Sequence, residues 1–534
     1  MSKLLRGTLI LSLGTYISKL LGLFYVIPFD AIVGDKGTAL YQYGYVPYQI
    51  FLSFGTAGLP LAVSKFVSKY NTLEAYRVSR KLFKSGLFIM LITGFLSFVG
   101  LYLLAPVLAG SIIADSDQVL RLEDVVGVIR AVSYALIIVP FMSLIRGYFQ
   151  GHESMGPSAV SQVVEQIVRI VFLLGGSYII LHILHGDVVQ AVEVSTFAAF
   201  VGALGGLAVL LWYWWRRKPY LDRLLLKDPG DIDISLKDMY KEILIYAIPF
   251  VVVGIINSLY QMVDTLTFNR AMADIGLASV SDKMFAALNF KSHKIVIIPV
   301  SLATAFSMTL VPLITSSFVS GNYRELKNQL DQTFQVLLFL TLPAVFGISL
   351  LAEPIFAFFY GQDPSGAEVL AFYAPCAVLF SLFSVSAAIL QGINEQKFTI
   401  FSMMVGLLAK MVLNIPLIHL LETKGAILAT AIGYTLSVII NLGVIYVRIG
   451  YRYKIVFRRG IFITLLSLAM TGVTDLAYHL FSRFFSVESQ LQALVLSGLC
   501  AFVGAGIYFY FSYKSNLLGI LFPRQMKRLK GLRH

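Results

Sequence analysis

The sequence predicts an all-α polytopic membrane protein with fourteen transmembrane helices, arranged as two parallel six-helix repeats followed by two additional helices. Three observations support this fold class: the composition, the length of the apolar segments and an internal repeat. Hydrophobic residues make up 57% of the 534 residues, charged residues only 13%, and the mean hydropathy is +0.79. Soluble domains contain about 45–50% apolar residues, so this composition is typical of a membrane protein.

Long apolar segments recur along the chain, and each has the roughly 20 residues that a helix needs to cross the hydrocarbon core. We interpret them as helices because strands of a membrane barrel alternate polar and apolar residues and these segments do not. The first segment is too long for a signal-peptide core and is expected to remain as a span. The fourteen predicted spans are 8–33, 45–67, 85–110, 127–150, 158–182, 188–215, 242–268, 294–318, 332–358, 369–391, 398–420, 425–447, 457–482 and 490–513.

The net charge of +13 is explained by membrane orientation and does not indicate nucleic-acid binding. With the N-terminus placed in the cytoplasm, 28 of the 42 lysines and arginines fall at cytoplasmic ends and loops, and six fall in outer loops. This bias follows the positive-inside rule and predicts that both termini are cytoplasmic. The basic C-terminal tail is expected to lie against anionic lipid headgroups.

A short motif occurs twice in the chain, as PLAVSKFVS at 60–68 and as PLITSSFVS at 312–320, with six identical positions out of nine. The dipeptide Gln-Gly also occurs at 150–151 and at 391–392, in each case after one copy of this motif. Chance similarity among apolar helices is the alternative, and the shared order and spacing argue against it. Six spans per repeat make the repeats parallel, an arrangement of transporters that bind substrate near the midplane between the halves.

The repeat and the charge pattern together divide the chain into five predicted segments. The two lobes are joined by a polar linker, and the last two spans have no counterpart in either lobe. The segments are an N-terminal six-helix lobe (1–215), a cytoplasmic linker (216–241), a C-terminal six-helix lobe (242–448), two additional transmembrane helices (449–513) and a basic cytoplasmic tail (514–534).

Ionisable residues inside spans are candidates for substrate binding, because each costs roughly 2.5–3.5 kcal/mol at a helix centre. Near mid-depth, three cations face a single acid, and this surplus of positive charge favours an anionic substrate such as a phosphate or diphosphate. The candidate substrate-binding residues are Lys19, Lys65, Glu165, Arg169, Lys291, Lys294 and Lys410.

Structural roles remain as alternatives for several of these residues. Glu165 and Arg169 are four residues apart on one helix face, so they could form a structural ion pair. Lys65, Arg146 and Lys291 could extend to a membrane interface. Lys19 and Lys410 have no acid close by in the sequence, which favours a functional role for them.

Catalytic signatures are lacking in the sequence. GHESMG at 151–156 is not the Gly-x-Ser-x-Gly motif of a nucleophile elbow, and no Walker, HExxH or CxxC motif occurs. Cys376 and Cys500 both lie in apolar spans, so neither a disulfide nor a metal site is implied. We therefore expect neither enzymatic activity nor a cofactor.

Four stretches carry a resemblance to a known family: SKLLGLFYVIPF (18–29), PLAVSKFVSKYN (60–71), RGYFQGHESMGPSAVSQVVEQIVRI (146–170) and AAILQGINEQKF (387–398). They resemble the MurJ-type lipid II flippases of the multidrug/oligosaccharidyl-lipid/polysaccharide exporter superfamily, in the Gram-positive branch with relatives of stage V sporulation protein B. The resemblance implies a V-shaped, alternating-access transporter whose last two helices extend a groove for the polyprenyl tail. It also implies outward flipping of undecaprenyl-diphosphate-linked peptidoglycan precursor.

The basic residue of this family's S-[KR]-x-x-G motif is Lys19 in this sequence. Other members carry further arginines at positions that are Tyr25 and Leu52 here. The resemblance therefore implies a set of cations rebuilt from other positions, namely Lys65, Arg169 and Lys291 or Lys294.

Some members of the family hold sodium with acid and amide groups on the seventh, eleventh and twelfth helices. The resemblance makes Asp264 and Asn414 the candidates for ion coupling here. Lys410 lies four residues before Asn414, and its ammonium would repel sodium. Sodium coupling is therefore not expected.

Three hypotheses about function compete. The first is a lipid II flippase, the second a flippase for another polyprenyl-linked glycan, such as a teichoic-acid, capsule or exopolysaccharide precursor. The third is a non-transporting scaffold for cell-wall enzymes, which predicts that Lys19 and Arg169 can be neutralised without loss. The expected partners are a lipid-linked anionic glycan, membrane lipids and cell-wall synthesis enzymes, with no nucleic acid and a monomeric protein.

Overall fold

The computed structural model describes residues 3–56, 59–113, 119–230 and 235–521. Within these ranges every regular element is helical, which confirms the all-α fold class. The chain forms two compact units, Met1–Ala286 (unit 1) and Ala287–His534 (unit 2). Most of the predicted basic tail, 522–534, lies outside the described residues.

Unit 1 contains ten α-helices and one π-helical turn in its described part. The second helix is bent at Gly34, whose φ of +65° is readily available only to glycine. The elements are α1 (Lys3–Phe24), α2 (Val26–Thr56), α3 (Leu59–Thr72), α4 (Tyr76–Ile112), α5 (Leu122–Ser133), α6 (Ala135–Gly151), α7 (Met155–Tyr178), a π-helical turn (Ile179–Ile183), α8 (Val188–Leu225), α9 (Leu236–Asp274) and α10 (Ala278–Ala286).

Unit 2 begins with a π-helical segment and continues with ten α-helices in its described part. The elements are the π-helical segment (Ala287–Ser292), α11 (His293–Val319), α12 (Tyr323–Leu350), α13 (Ala352–Tyr360), α14 (Pro364–Tyr373), α15 (Cys376–Gly392), α16 (Gln396–Leu421), α17 (Thr423–Ile449), α18 (Lys454–Phe481), α19 (Gln490–Lys514) and α20 (Leu517–Leu521).

The described residues contain ten helices, some with a short internal break, that are long and apolar enough to cross a membrane. An eleventh span is present if α1 and α2, which meet at a bend of 40°, are counted as one. The polytopic character of the chain is therefore confirmed, whereas the number of fourteen spans stays a prediction.

The internal repeat is visible inside each unit as a contact between its two repeated motifs. In unit 1, α6 packs on α3, and a β-carbon at Gly151 would lie 2.6 Å from the Val67 β-carbon. In unit 2, α15 packs on α11, and a β-carbon at Gly392 would lie 3.0 Å from Ile314 Cγ2. The glycine of each Gln-Gly pair thus allows its helix to approach the PLxxSxFVS helix of the same unit.

The turn after each Gln-Gly pair also has the same geometry. Glu153 and Asn394 both adopt a positive φ, at 56° and 62°. The amide of each residue donates to the carbonyl of the glutamine three positions earlier, at 2.9 Å for Glu153 and 3.1 Å for Asn394. The duplication inferred from sequence therefore extends to backbone conformation.

The two compact units have different bounds from the two lobes predicted from the repeat. Helices α9 and α10 are part of unit 1, although they carry residues of the predicted C-terminal lobe, 242–448. The five segments predicted from the repeat and the charge pattern therefore stay a prediction.

Candidate functional site

Helix α7 carries two of the predicted site residues, Glu165 and Arg169, and α8 packs closely against it. Two glycines of α8 make this approach possible. A β-carbon at Gly202 would lie 2.7 Å from the Arg169 β-carbon, and one at Gly206 would lie 3.1 Å from the Glu165 β-carbon. Small residues allow such close helix packing in membranes, and here they set the position of both ionisable side chains.

Glu165 forms an ion pair with Arg146 of α6. Arg146 Nη2 lies 2.7 Å from Glu165 Oε2, and the two side chains are 13% and 23% exposed, respectively. The Nε group of Arg146 donates a second hydrogen bond to Ser161 Oγ at 2.8 Å. The carboxylate and the hydroxyl of α7 thus hold the guanidinium of α6 between the two helices.

This geometry corrects the ion pair considered between Glu165 and Arg169. Their spacing permits contact along α7, but in the described structure Glu165 pairs with Arg146 of the neighbouring helix. Arg146 Nη2 also lies 3.3 Å from the point that a β-carbon at Gly206 would occupy, so the guanidinium fills space that the glycine leaves open. Arg146 therefore does not simply extend to an interface.

Arg169 contacts aromatic side chains of α2. Its Nη2 donates a hydrogen bond to Tyr41 Oη at 2.9 Å, and its guanidinium lies 5.2 Å from the centre of the Tyr45 ring. Tyr25 and Tyr48 are also close enough to interact electrostatically with it. Within the described part of the chain, Arg169 has no carboxylate partner, so it is a cation held in place by neutral groups.

Tyr25 is one of the positions at which related proteins were expected to carry an arginine. The guanidinium of Arg169, which comes from α7, interacts electrostatically with this tyrosine. The sequence contains a signal for this cluster: Tyr41, Tyr45 and Tyr48 are spaced so that they share one face of α2. Sequence reasoning alone did not use it.

Lys19 and Lys65 are both exposed, on α1 and α3 respectively. Lys19 lies on the part of α1 that packs on α7, between the Thr15–Gln162 hydrogen bond of 3.2 Å and the approach of Gly22 to Gln166. Lys65 lies on α3, with Nζ 5.7 Å from the ring centre of Phe66. Unit 1 therefore brings the part of α1 that carries Lys19 to the helix that carries Glu165 and Arg169.

A second polar cluster of unit 1 was missed by sequence reasoning. Tyr43 donates to Asp282 Oδ1 at 2.7 Å, and Asn269 Nδ2 donates to Tyr43 Oη at 2.6 Å. Leu120 N donates to Asp282 Oδ2 at 3.3 Å. This cluster ties α2, α9, α10 and the segment before α5 together. The ion-coupling candidate Asp264 is also buried on α9.

Lys410 and Asn414 are enclosed in unit 2, at 1% and 0% exposure. Lys410 Nζ donates a hydrogen bond of 2.7 Å to Thr430 Oγ1 of α17. His293 of α11 is close enough to interact electrostatically with both Lys294 and Lys410. The structure thus groups two of the predicted cations with a histidine that sequence reasoning did not select.

Lys291 lies in the π-helical segment and is directed to α13. Its Nζ is 5.1 Å from the ring centre of Tyr360 and 5.9 Å from that of Phe356. Tyr360 Oη in turn donates to the carbonyl of Lys291 at 3.1 Å. Lys294 is half-buried, with Nζ 5.9 Å from the ring centre of Phe290. Lys294 shares with Lys410 an electrostatic interaction with His293.

Comparison with known proteins decides the family. The family described as "Polysaccharide biosynthesis protein" matches residues 4–318, and the MatE family matches 249–416. "Lipid II flippase MurJ" of Bacillus subtilis (strain 168) is 48% identical over 531 residues, which cover 98% of both chains. The chain belongs to the MurJ lipid II flippase family. "Stage V sporulation protein B" of the same organism is 24% identical over 449 residues, 82% of each chain.

Solved structures give this MurJ-family chain the corresponding fold. "Lipid II flippase MurJ, inward closed conformation" matches with a TM-score of 0.66 and 16% identity, covering 95% of this chain and 99% of the other. An inward-facing multidrug resistance MATE family transporter matches with a TM-score of 0.64 and 15% identity, covering 83% and 98%. The predicted fold, which MurJ and MATE structures share, is thereby confirmed.

Proposed function

We propose that this MurJ-family protein flips lipid II, the undecaprenyl-diphosphate-linked peptidoglycan precursor, from the inner to the outer leaflet by alternating access. The observation that carries the proposal is the 48% identity to a lipid II flippase along 98% of the chain. A transporter also agrees with the lack of catalytic motifs in the sequence.

The cations of the candidate site support a role in holding the diphosphate headgroup. Arg169 presents a guanidinium that aromatic rings and a tyrosine hydroxyl position, and no carboxylate neutralises it among the described residues. A planar guanidinium can bind two phosphate oxygens at once. Lys19 on the adjacent α1 adds a second charge, and Lys294 and Lys410 supply positive charge in unit 2.

Complementation tests the proposed function. In cells depleted of their own lipid II flippase, the wild-type chain is expected to restore growth and cell shape, and Arg169→Ala is expected to fail while remaining in the membrane. Lys397→Ala is the matched control, because Lys397 is exposed and at the end of a span. Rescue of a teichoic-acid or capsule flippase, but not of the lipid II flippase, would favour another glycan. Full rescue by both Lys19→Ala and Arg169→Ala would favour the scaffold hypothesis.

The proposed orientation places both termini in the cytoplasm of a cell-membrane protein, on the basis of the lysine and arginine bias. A single cysteine at Glu368 is then expected to react with an impermeant maleimide on intact cells, whereas one at Asn71 is not. The native Cys376 and Cys500 are buried and give a low background. Labelling of the Asn71 position from outside would contradict the orientation.

The proposed partners are the lipid-linked glycan and membrane lipids, with cell-wall synthesis enzymes as further candidates. The protein is proposed to act as a monomer. Light scattering of the purified protein in detergent measures its mass and would reveal a stable dimer.

A further inference from the structure

The beginning of α4 carries four cations that line one cavity. They follow the spacing i, i+3, i+4 and i+7, which places them on one face of the helix. The cavity has a volume of about 460 Å³ and is lined by Arg77, Arg80, Lys81, Lys84, Ser85 and Leu225. We propose that this α4 basic cavity binds the phosphate headgroup of an anionic phospholipid of the bilayer, such as phosphatidylglycerol.

Helix stability does not account for these cations. Positive charge near a helix N-terminus is unfavourable, because the macrodipole already places partial positive charge there. The first turn of α4 contains no acidic residue, and the N-cap, Ala75, makes no side-chain hydrogen bond to the helix. An anion bound in the cavity would be stabilised both by the four side chains and by this end of the helix.

Neighbouring acids neutralise only part of the charge. Arg80 Nη2 lies 2.6 Å from Asp222 Oδ1 of α8, and its guanidinium lies 5.3 Å from the Trp214 ring centre. Asp228 accepts a hydrogen bond from the backbone amide of Arg77 at 2.5 Å. Among the described residues, the side chains of Arg77 and Lys84 make no ion pair. Within the described residues, four cations meet these two acids, and a phosphodiester would match the positive charge of this cavity.

The surface next to the cavity favours a lipid over a soluble phosphate. Phe88, Leu91 and Phe95 follow Lys84 at intervals of four, seven and eleven residues, so they continue the same face of α4. They are 66%, 45% and 54% exposed. Helix α4 is long and apolar enough to span the membrane, so these side chains offer a surface for acyl chains directly beside the headgroup. Basic pockets at the cytoplasmic ends of spans are known to suit anionic lipid headgroups.

The second repeat provides a matched control. Helix α12, the counterpart of α4, begins with Arg324 and Lys327, and its first turn contains Glu325. Over its first nine residues α12 has two cations and two acids, where α4 has four cations and no acid. If the lipid recognised positive charge in general, replacing the cations of either helix would weaken its binding.

Lipid binding to the purified full-length protein in a neutral detergent tests the proposal. Phosphatidylglycerol is titrated by native mass spectrometry, with phosphatidylcholine as the uncharged comparison. The Lys81→Gln/Lys84→Gln variant is expected to bind phosphatidylglycerol at least about tenfold more weakly, since each basic residue near a headgroup contributes about 1 kcal/mol. The Arg324→Gln/Lys327→Gln variant is expected to bind like the wild type. Equal melting temperatures without lipid establish that both variants are folded.

Three results would overturn the proposal. Unchanged phosphatidylglycerol affinity in the α4 variant would show that the cavity is not the site. Displacement by undecaprenyl diphosphate at much lower concentration would assign it to the polyprenyl lipid. Equal competition by inorganic pyrophosphate would indicate a soluble phosphate ligand. The assay measures no flipping, so its outcome is independent of the proposed transport function.

Discussion

Replacement of Arg146 by alanine is expected to destabilise unit 1 and to abolish flipping. The change leaves the largely buried Glu165 carboxylate without its ion-pair partner 2.7 Å away, and it also removes the donor to Ser161. Breaking a buried ion pair from one side costs about 3–5 kcal/mol, because the remaining charge stays desolvated. The melting temperature of the purified protein measures the first effect, and complementation of flippase-depleted cells measures the second.

The double variant Arg146→Gln/Glu165→Gln separates charge from packing. It removes both charges at similar side-chain volume, so its melting temperature is expected to return close to that of the wild type. If this variant also restores growth, the pair is structural and the candidate headgroup residues of unit 1 reduce to Arg169 and Lys19. A single Arg146→Ala variant as stable as the wild type would show that the pair contributes little.

Arg169→Ala serves as the contrast on the neighbouring helix α7, which also carries Glu165. Arg169 contacts a tyrosine hydroxyl and aromatic rings, and its loss leaves no carboxylate unpaired among the described residues. Its removal is therefore expected to lower stability less than Arg146→Ala while still abolishing complementation. An Arg169→Ala protein that melts far below Arg146→Ala would contradict the assignment of the two arginines to different roles.

Flipping is expected to respond to the membrane potential and not to a sodium gradient. The diphosphate of the proposed cargo carries about two negative charges, and the cell interior is electrically negative. Moving one charge across 100 mV is worth roughly 2.3 kcal/mol, so outward passage gains several kcal/mol without a coupled ion. The ammonium of Lys410 is buried one turn from Asn414, where it would repel a sodium ion approaching that amide.

Proteoliposomes with a potassium-diffusion potential provide the measurement. Transport is expected to accelerate when the potential drives the anion across, to the same extent with and without sodium. Lys410→Gln tests the role of the ammonium, and Lys397→Gln is its matched control on the same helix, with an exposed side chain. Transport that persists at zero potential but requires a sodium gradient would show that the role assigned to Lys410 is wrong.

The fold class and the family could be predicted from sequence because they depend on local properties. Whether a segment crosses a membrane is set by the apolar character of about 20 consecutive residues, which any window of the sequence reveals. The duplication could be inferred from PLAVSKFVS and PLITSSFVS because a repeat keeps its residues in order. The structure added that each Gln-Gly pair lets its helix approach this motif through Gly151 or Gly392.

The partners of the ionisable residues, in contrast, were decided only by the tertiary structure. Spacing along α7 allowed Glu165 and Arg169 to pair with each other, but it carries no information on which helices lie beside α7 or how they are rotated. Gly206 of α8 leaves room for the Arg146 guanidinium from α6, and the tyrosines of α2 receive Arg169. Side-chain charges are thus visible in the sequence, whereas the choice of partner depends on helix packing between residues far apart in the chain.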